Sequence, residues 1–183
     1  MRIIAGTWRG TALAAVGKGD AGAALRPTSD RVRESLFSML ASRGVVQGAR
    51  VLDLFAGTGA LALEALSRGA AEAVLVENGR AGQRLITENI RKLRAEGQAK
   101  LLRADATRLG DWPGPLFDLV FLDPPYGRGL GEKTLGSARG WCAPGAMVVW
   151  EEEAAQDAPE GFALIEQRKF GGTWVTLLER AFS

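Results

Sequence analysis

Residues 50–59, which read RVLDLFAGTG, predict the fold of this 183-residue chain. The first six form a nearly continuous apolar run around one acid, Asp53, which is typical of a strand buried on both faces of a parallel sheet. Gly57 and Gly59 then let the backbone turn into a helix at 60–68 and approach a ligand closely at the helix N-terminus. This stretch therefore predicts the first strand–turn–helix unit of an α/β domain.

The sequence downstream repeats this alternation of strands and helices. Amphipathic runs predict helices at 80–96 and around 130–140, and the last two strands flank a Gly-Gly turn as in a β-hairpin. We therefore predict a doubly wound α/β sheet with an antiparallel hairpin at its end. The predicted later strands are at 73–76, 100–103, 117–122, 146–150, 162–170 and 173–180.

The first quarter of the chain differs from the rest in charge. Residues 1–50 hold eight Arg and Lys against three acids, whereas the remaining residues hold fifteen against eighteen. A short ribbon is predicted near the N-terminus, and an amphipathic helix begins after Pro27 at candidate N-caps Thr28, Ser29 and Asp30. A basic end on a mildly acidic body suggests that this end contacts a polyanion.

Three arginines are the candidates for that contact. Arg26 precedes the helix, and the apolar stripe of the helix leaves Arg31 and Arg33 to point away from it. We expect these three side chains to hold backbone phosphates. The predicted organisation is a basic ribbon and helix at 1–45, followed by a catalytic domain at 46–183.

The cysteine and histidine content excludes several kinds of chemistry. Cys142 is the single cysteine, so an intramolecular disulfide and a Cys-cluster zinc site are excluded, and we expect the thiol to be buried. The chain has no histidine, so imidazole catalysis is excluded and no metal is expected. The composition, 46% hydrophobic and 24% charged, without a long apolar run or a signal-like N-terminus, predicts a cytoplasmic protein without membrane contact.

Acidic residues recur where the predicted strands end. They are Asp53, Glu77, Asp105 and Asp123. Ligands of open α/β sheets bind beyond the carboxyl ends of the strands, so these acids predict a ligand site. Residues 57–62 also fit the G-x-G-x-x-A dinucleotide pattern, with Glu77 where a ribose-binding acid is expected. This region alone does not distinguish a nicotinamide cofactor from S-adenosylmethionine.

The end of the fourth strand, Asp123-Pro124-Pro125-Tyr126, distinguishes the two. The prolines remove two amide donors, which leaves the Asp123 carboxylate and the Pro124 carbonyl as local acceptors. Two acceptors that hold the N–H groups of an exocyclic base amine would aim its lone pair at a methyl donor, while Tyr126 offers a ring face for stacking. The sulfonium methyl of S-adenosylmethionine is already activated and needs no metal. These residues predict an amino-methyltransferase.

Several stretches together resemble a known family over essentially the whole chain. The 53–59 loop and the Asp-Pro-Pro-Tyr element look like those of Rossmann-like amino-methyltransferases. Residues 1–4, 8–10, 61–69 and especially 26–34, RPTSDRVRE, narrow the resemblance to the RsmD family of small-subunit ribosomal RNA guanine-N2 methyltransferases. The resemblance implies a class I methyltransferase fold with a seven-stranded, mostly parallel sheet, S-adenosylmethionine as donor, and a guanine of 16S rRNA, free or in a small-subunit assembly intermediate, as acceptor.

The resemblance also assigns residues to roles. It implies catalysis and target-base binding by Asp123, Pro124, Pro125 and Tyr126. It implies cofactor binding by Asp53, Phe55, Gly57, Gly59, Glu77, Asp105 and Ala106. We expect Glu77 to bind the ribose hydroxyls and Asp105, with Ala106, to accept from the adenine amine. A monomer that binds RNA through Arg26, Arg31 and Arg33 is expected.

Three alternatives stay open. A DNA adenine-N6 or cytosine-N4 methyltransferase would normally need a larger module to read duplex sequence. A nicotinamide-dependent oxidoreductase would leave Asp123–Tyr126 without a role. A non-catalytic RNA-binding protein would have no use for the intact 53–59 loop.

Overall fold

The computed structural model of the chain describes residues 1–17 and 28–182, and its centre is one seven-stranded sheet. The strand order is β3-β2-β1-β4-β5-β7-β6. The strands are β1 (Arg50–Leu54), β2 (Glu72–Val76), β3 (Ala99–Leu102), β4 (Phe117–Leu122), β5 (Cys142–Glu152), β6 (Phe162–Phe170) and β7 (Thr173–Arg180).

The first five strands run parallel, and the hairpin closes one edge of the sheet. β1 lies between β2 and β4, so the strand order reverses there, and the carboxyl ends of these strands meet at one side of the sheet. β7 pairs antiparallel with both β5 and β6. The predicted α/β class, seven strands and antiparallel hairpin are confirmed, and the crossover point is where such sheets bind ligands.

Among residues 1–17 and 28–182, four helices cover the two faces of the sheet. Apolar residues of α1, α2 and α3 pack in one core cluster with Val51 and Phe121, whereas α4 packs in a second cluster with Leu52 and Leu122. Alternation along each strand therefore buries both faces, as the apolar strand sequences predicted. The helices are α1 (Asp30–Ser42), α2 (Ala60–Ser67), α3 (Arg80–Lys92) and α4 (Leu130–Ala138).

The N-terminal ribbon lies on α2. A single antiparallel bridge joins Arg2 to Ala12, and Ile3 and Leu13 are buried in the α1–α3 cluster. The ribbon approaches α2 so closely that a Cβ at Gly6, whose φ is +87°, would lie 1.8 Å from the Ser67 carbonyl oxygen. All eight residues of α2 are consequently buried.

Two elements differ from their expected bounds by more than two residues. α3 ends at Lys92 rather than 96, because Arg94 adopts a φ of +53° and turns the chain toward β3. β5 extends over Cys142–Glu152 rather than 146–150, since pairing with β4 and β7 continues past its apolar centre. Cys142 is buried, as predicted, and burial raises the pKa of its thiol to about 12. In the described ranges, no helix has the length and apolarity needed to cross a bilayer.

Candidate active site

A cavity of about 670 Å³ opens at the carboxyl ends of β1, β2 and β4. Its volume lies within the range of about 300–1,000 Å³ that is usual for small-molecule sites. Its lining brings together most of the predicted site residues: Asp53, Phe55, Gly57, Glu77, Asp123, Pro124, Pro125 and Tyr126. Residues separated by up to 73 positions in the sequence therefore face one space.

The loop after β1 forms the floor of this cavity with an unusual backbone. Phe55 has a φ of +59°, which is rare for a bulky residue, and Gly57 and Gly59 have φ of +61° and +83°. Strained backbone of this kind is concentrated at ligand sites. Gly59 does not line the cavity. It begins α2, where a Cβ would lie 2.9 Å from Leu75 Cδ2 and so prevent the close packing of helix on strand.

Glu77 connects this loop to the turn after β2. Its Oε1 accepts from Gly57 N at 2.9 Å, and its Oε2 accepts from Asn78 N at 2.9 Å and Gly79 N at 3.1 Å. A carboxylate that accepts several backbone amides is held rigidly. Gly82, on the first turn of α3, leaves the space that the carboxylate occupies, because a Cβ there would lie 2.7 Å from Glu77 Cγ.

Asp53 lies at the bottom of the cavity and is 1% exposed. Burial, opposed by a hydrogen bond from Ala62 N and aided by the neighbouring Asp123 and Glu77 carboxylates, raises the pKa of its carboxyl to about 8. The three acids therefore lie close enough at this end of the sheet for their charges to act on one another.

The Asp123–Tyr126 segment is held by the hairpin side of the sheet. The Tyr126 hydroxyl lies 3.2 Å from Thr173 Oγ1, at the start of β7. Gly127 N donates to Glu152 Oε1 at 3.0 Å, at the end of β5. Strands β5 and β7 therefore position the segment that was predicted to carry the chemistry.

A second cavity, of about 320 Å³, adjoins the first at this segment. Thr28, Asp123 and Tyr126 line both cavities. The other residues of the second cavity come from the start of α1, the end of β5 and the hairpin turn, namely Ser29, Val32, Glu151, Phe170, Gly171, Gly172 and Thr173.

Asp105 and Ala106 lie outside the lining of both cavities. Asp105 caps a short 3₁₀ helix, where Oδ1 accepts from Thr107 N at 2.9 Å and from Thr107 Oγ1 at 2.7 Å. Hydrogen bonds from Thr107, with an ion pair to Arg108, lower the pKa of the Asp105 carboxyl. Ala106 is buried. In this structure the Asp105 carboxylate serves the cap.

The three candidate arginines have different environments. Arg26 lies outside the described residues, and Arg31 is exposed on α1. The expectation that Arg33 points away from the core is wrong, because its side chain is fully buried. Its guanidinium pairs with Asp30 at 2.9 Å, lies 3.5 Å from Glu64 and donates to the Arg2 carbonyl. Its position three residues after Asp30 and over the buried Glu64 turns it inward, so it is not available to a phosphate.

Sequence reasoning missed several residues of the site, among them Thr28, Gly82, Glu151 and Thr173. Glu151 had a signal, since it follows the apolar run of β5 as the other acids follow theirs. The others had none, because their roles depend on contacts between distant segments. Within 1–17 and 28–182, no group of three or more Cys, Asp or Glu side chains is arranged to hold a metal ion.

Comparison with known proteins places this geometry in a family. The family model described as conserved hypothetical protein 95 matches residues 1–179. Ribosomal RNA small subunit methyltransferase D of Escherichia coli is 42% identical over 161 residues, which cover 87% of this chain and 78% of that protein. The protein of the same name from Haemophilus influenzae is 33% identical over 178 residues, which cover 93% and 89%.

Solved structures agree with the sequence comparisons. The yhhF protein of Escherichia coli superimposes with a TM-score of 0.83 at 38% identity, covering 100% of this chain and 99% of the other. A family model matches nearly the whole chain, and a relative of 42% identity is covered over most of its length. The chain therefore belongs to the family described as conserved hypothetical protein 95, the RsmD family of methyltransferases.

Proposed function

We propose that this methyltransferase transfers a methyl group from S-adenosylmethionine to the exocyclic N2 amine of a guanine in 16S rRNA. The observation that carries the proposal is the pair of cavities that meet at Asp123–Tyr126. One cavity has the glycine loop and ribose-type acid expected for the donor, and the other has room for an acceptor base beside the same segment. The names of the rRNA-modifying relatives support the choice of substrate.

The residues of the larger cavity fit S-adenosylmethionine. Glu77 offers carboxylate oxygens for the ribose hydroxyls, and Phe55 and Leu61 supply apolar wall. When bound, the donor supplies a methyl group already activated by its positive sulfur. Because the methylated amine can lose its extra proton to water afterwards, catalysis requires the protein only to place and polarise the acceptor amine.

Asp123 and Pro124 perform that placement in the proposed mechanism. The Asp123 carboxylate and the Pro124 carbonyl accept the two N–H groups of the amine, which directs its lone pair toward the donor cavity. Tyr126, held through its hydroxyl by Thr173, stacks on the base. The region 1–45, with Arg26 and Arg31, is proposed to hold RNA backbone phosphates.

Two measurements test the proposed donor and acceptor. Thermal-shift titration should show stabilisation by S-adenosylmethionine and by its demethylated product, whereas stabilisation by NAD alone would indicate an oxidoreductase. Mass-spectrometric mapping of rRNA nucleosides from cells with and without the gene should find one N2-methylguanosine that depends on the gene. A methylated adenine or cytosine, or no change in rRNA, would refute the proposed substrate.

Variants at Asp123 test its role as an acceptor. We expect Asp123→Ala to abolish methylation, whereas Asp123→Asn keeps one side-chain oxygen acceptor and a measurable fraction of the rate. If Asp123 were instead an obligatory general base, both variants would lose about 10²–10⁴-fold. Single-turnover rates on rRNA compare the two, and S-adenosylmethionine affinity in each variant serves as the control for folding of the donor site.

A further inference from the structure

Glu151 lies next to the proposed catalytic segment, although 28 positions separate it from Asp123 in the sequence. The parallel pairing of β4 with β5 sets Leu122 opposite Trp150, so Asp123 and Glu151 follow directly at the same level of the sheet. On its other side Glu151 pairs with Val175 of β7. The residue is 2% exposed, so a carboxylate has been buried where the sheet meets the smaller cavity.

The carboxylate of Glu151 belongs to the lining of that cavity, together with Asp123 and Tyr126. The Thr28 hydroxyl donates to Glu151 Oε2 at 3.2 Å and so orients the group. Thr28, Ser29 and Val32, which also line this cavity, come from the start of α1 and not from the donor-binding loops. A volume of about 320 Å³ is at the lower end for ligand sites, which suits one extruded base better than a larger ligand.

The edges of the bases differ where such a carboxylate would act. Guanine carries a ring N1–H donor beside its N2 amine. The ring nitrogens next to the amines of adenine and cytosine carry a lone pair, which a carboxylate repels. Once Asp123 and Pro124 hold the 2-amine of guanine, its N1–H would face the wall of the cavity to which Glu151 belongs.

From this geometry we infer that Glu151 is a specificity-determining residue, whose buried carboxylate accepts the N1–H of the target guanine and rejects bases with a ring acceptor at that position. The inference rests on the proposed guanine-N2 activity. A site built to hydrogen-bond a donor discriminates strongly against an analogue that lacks it, because its buried acceptor is then left without a partner. The Asp-Pro-Pro-Tyr segment selects an amine, and Glu151 selects the base that bears it.

The test compares two rRNA fragments that differ at one position. The first carries the mapped guanosine, and the second carries 2-aminopurine riboside in its place. The analogue keeps the 2-amine but has a lone pair at N1. We expect wild-type kcat/KM to favour guanosine by at least about 100-fold. In Glu151→Gln, whose amide can donate as well as accept, the preference should fall below about tenfold. Intrinsic differences between the two amines cancel in the ratio of these preferences.

Two further variants separate recognition from structure. Glu132→Gln removes an exposed carboxylate of α4 that lines neither cavity, and its guanosine preference should equal that of the wild type. Thr28→Val removes only the hydroxyl that orients Glu151 and should give an intermediate preference, which keeps the test valid if Glu151→Gln is unstable. An unchanged preference in Glu151→Gln and Thr28→Val, with guanosine still methylated, would overturn the inference. If the wild type methylated no guanosine, the proposed function itself would fail.

Discussion

At the scale of single residues, the donor cavity depends on side chains that bind main-chain amides and on glycines that leave space for those side chains. Glu77 accepts from three main-chain amides and joins the loop after β1 to the turn after β2. Gly82 supports it only by lacking a side chain. Asp53 is buried beneath both, with a pKa displaced far from its ordinary value. Each of these three features gives a measurable consequence.

Gly82→Ala should weaken S-adenosylmethionine binding by about 1–3 kcal/mol, as should Glu77→Ala, because both leave the proposed ribose partners without the carboxylate in its place. The added Cβ would lie 2.7 Å from Glu77 Cγ and displace that side chain. Gly136→Ala is the matched control, since Gly136 is also a helical glycine. A Cβ added there would have no neighbour within 4 Å outside the backbone of its own helix. It should leave affinity unchanged and add up to about 1 kcal/mol of stability. Calorimetry decides, and wild-type affinity in Gly82→Ala would contradict the assignment of Glu77.

Stability should fall as pH rises from about 4 to 8, owing to Asp53. The carboxyl ionises near 3.8 in the unfolded chain and near 8 in the folded protein, so the folded state retains a proton that the unfolded state has lost. Each pH unit in this window then lowers the free energy of unfolding by at most about 1.4 kcal/mol, and the contribution ends above 8. Asp53→Asn should lack this slope. Urea midpoints measured between pH 5 and 9 compare the two, and parallel curves would show that Asp53 is ionised in the folded protein.

At the scale of elements, all residues of α2 are buried, and one of them, Glu64, is charged. The Glu64 carboxylate accepts from Ile4 N at 2.8 Å, Ala5 N at 3.1 Å and Arg68 Nε at 2.8 Å, and it lies 3.5 Å from Arg33 Nε. One side chain therefore joins the ribbon, α1 and α2. Because Met1 and Thr28 line the donor cavity, this network also positions part of the site.

Glu64→Gln should cost about 3–5 kcal/mol of stability, because it removes the buried charge that Arg33 and Arg68 share and leaves Arg33 paired only with the partly exposed Asp30. For a protein of this size that corresponds to a fall in melting temperature of more than about 6 °C. Glu34→Gln, on the exposed side of α1, is the control and should melt like the wild type. A loss below about 1 kcal/mol in Glu64→Gln would show that the ribbon does not depend on this network.

At the scale of the whole molecule, the basic N-terminal part and the acidic carboxyl ends of the strands both border the pair of cavities. The excess of basic residues lies in the first 50 positions, and this part also supplies Thr28, Ser29 and Val32 to the smaller cavity. The acidic carboxyl ends of the strands line the donor cavity, which shares Thr28, Asp123 and Tyr126 with the smaller one. A polyanion held at the basic end would therefore present a base to the smaller cavity, beside the donor.

Arginine variants should separate into two classes. Replacing Arg26 and Arg31 with alanine should weaken RNA binding and flatten its salt dependence by about 1.4, at about 0.7 per phosphate contact on single strands. Arg33→Ala should instead lower the melting temperature, since its guanidinium is buried with Glu64 and Asp30. RNA affinity at several salt concentrations and melting curves measure both effects. An unaltered slope in the double variant would place the RNA contact elsewhere on the protein.

Local sequence patterns were enough to predict the α/β class and the hairpin, and to place Asp123–Tyr126 at the carboxyl end of a strand, where the structure has a cavity. These features are encoded locally: strand and helix periods lie within short windows, and acids at strand ends meet wherever parallel strands are neighbours. The predicted lengths of α3 and β5 were wrong, because helix and strand ends depend on caps and pairing.

Tertiary structure alone decided which distant side chains meet. Thr28 and Glu151, 123 positions apart, share a hydrogen bond only because the strand order sets β5 beside β4 and α1 over the same edge. The sequence around Arg33 predicts a surface arginine. Its burial is favourable only because Glu64, 31 positions away, lies beside it in the folded protein. The free energy of placing a charge inside a protein depends on the partner it finds there, and strand order and register, which local patterns do not contain, determine that partner.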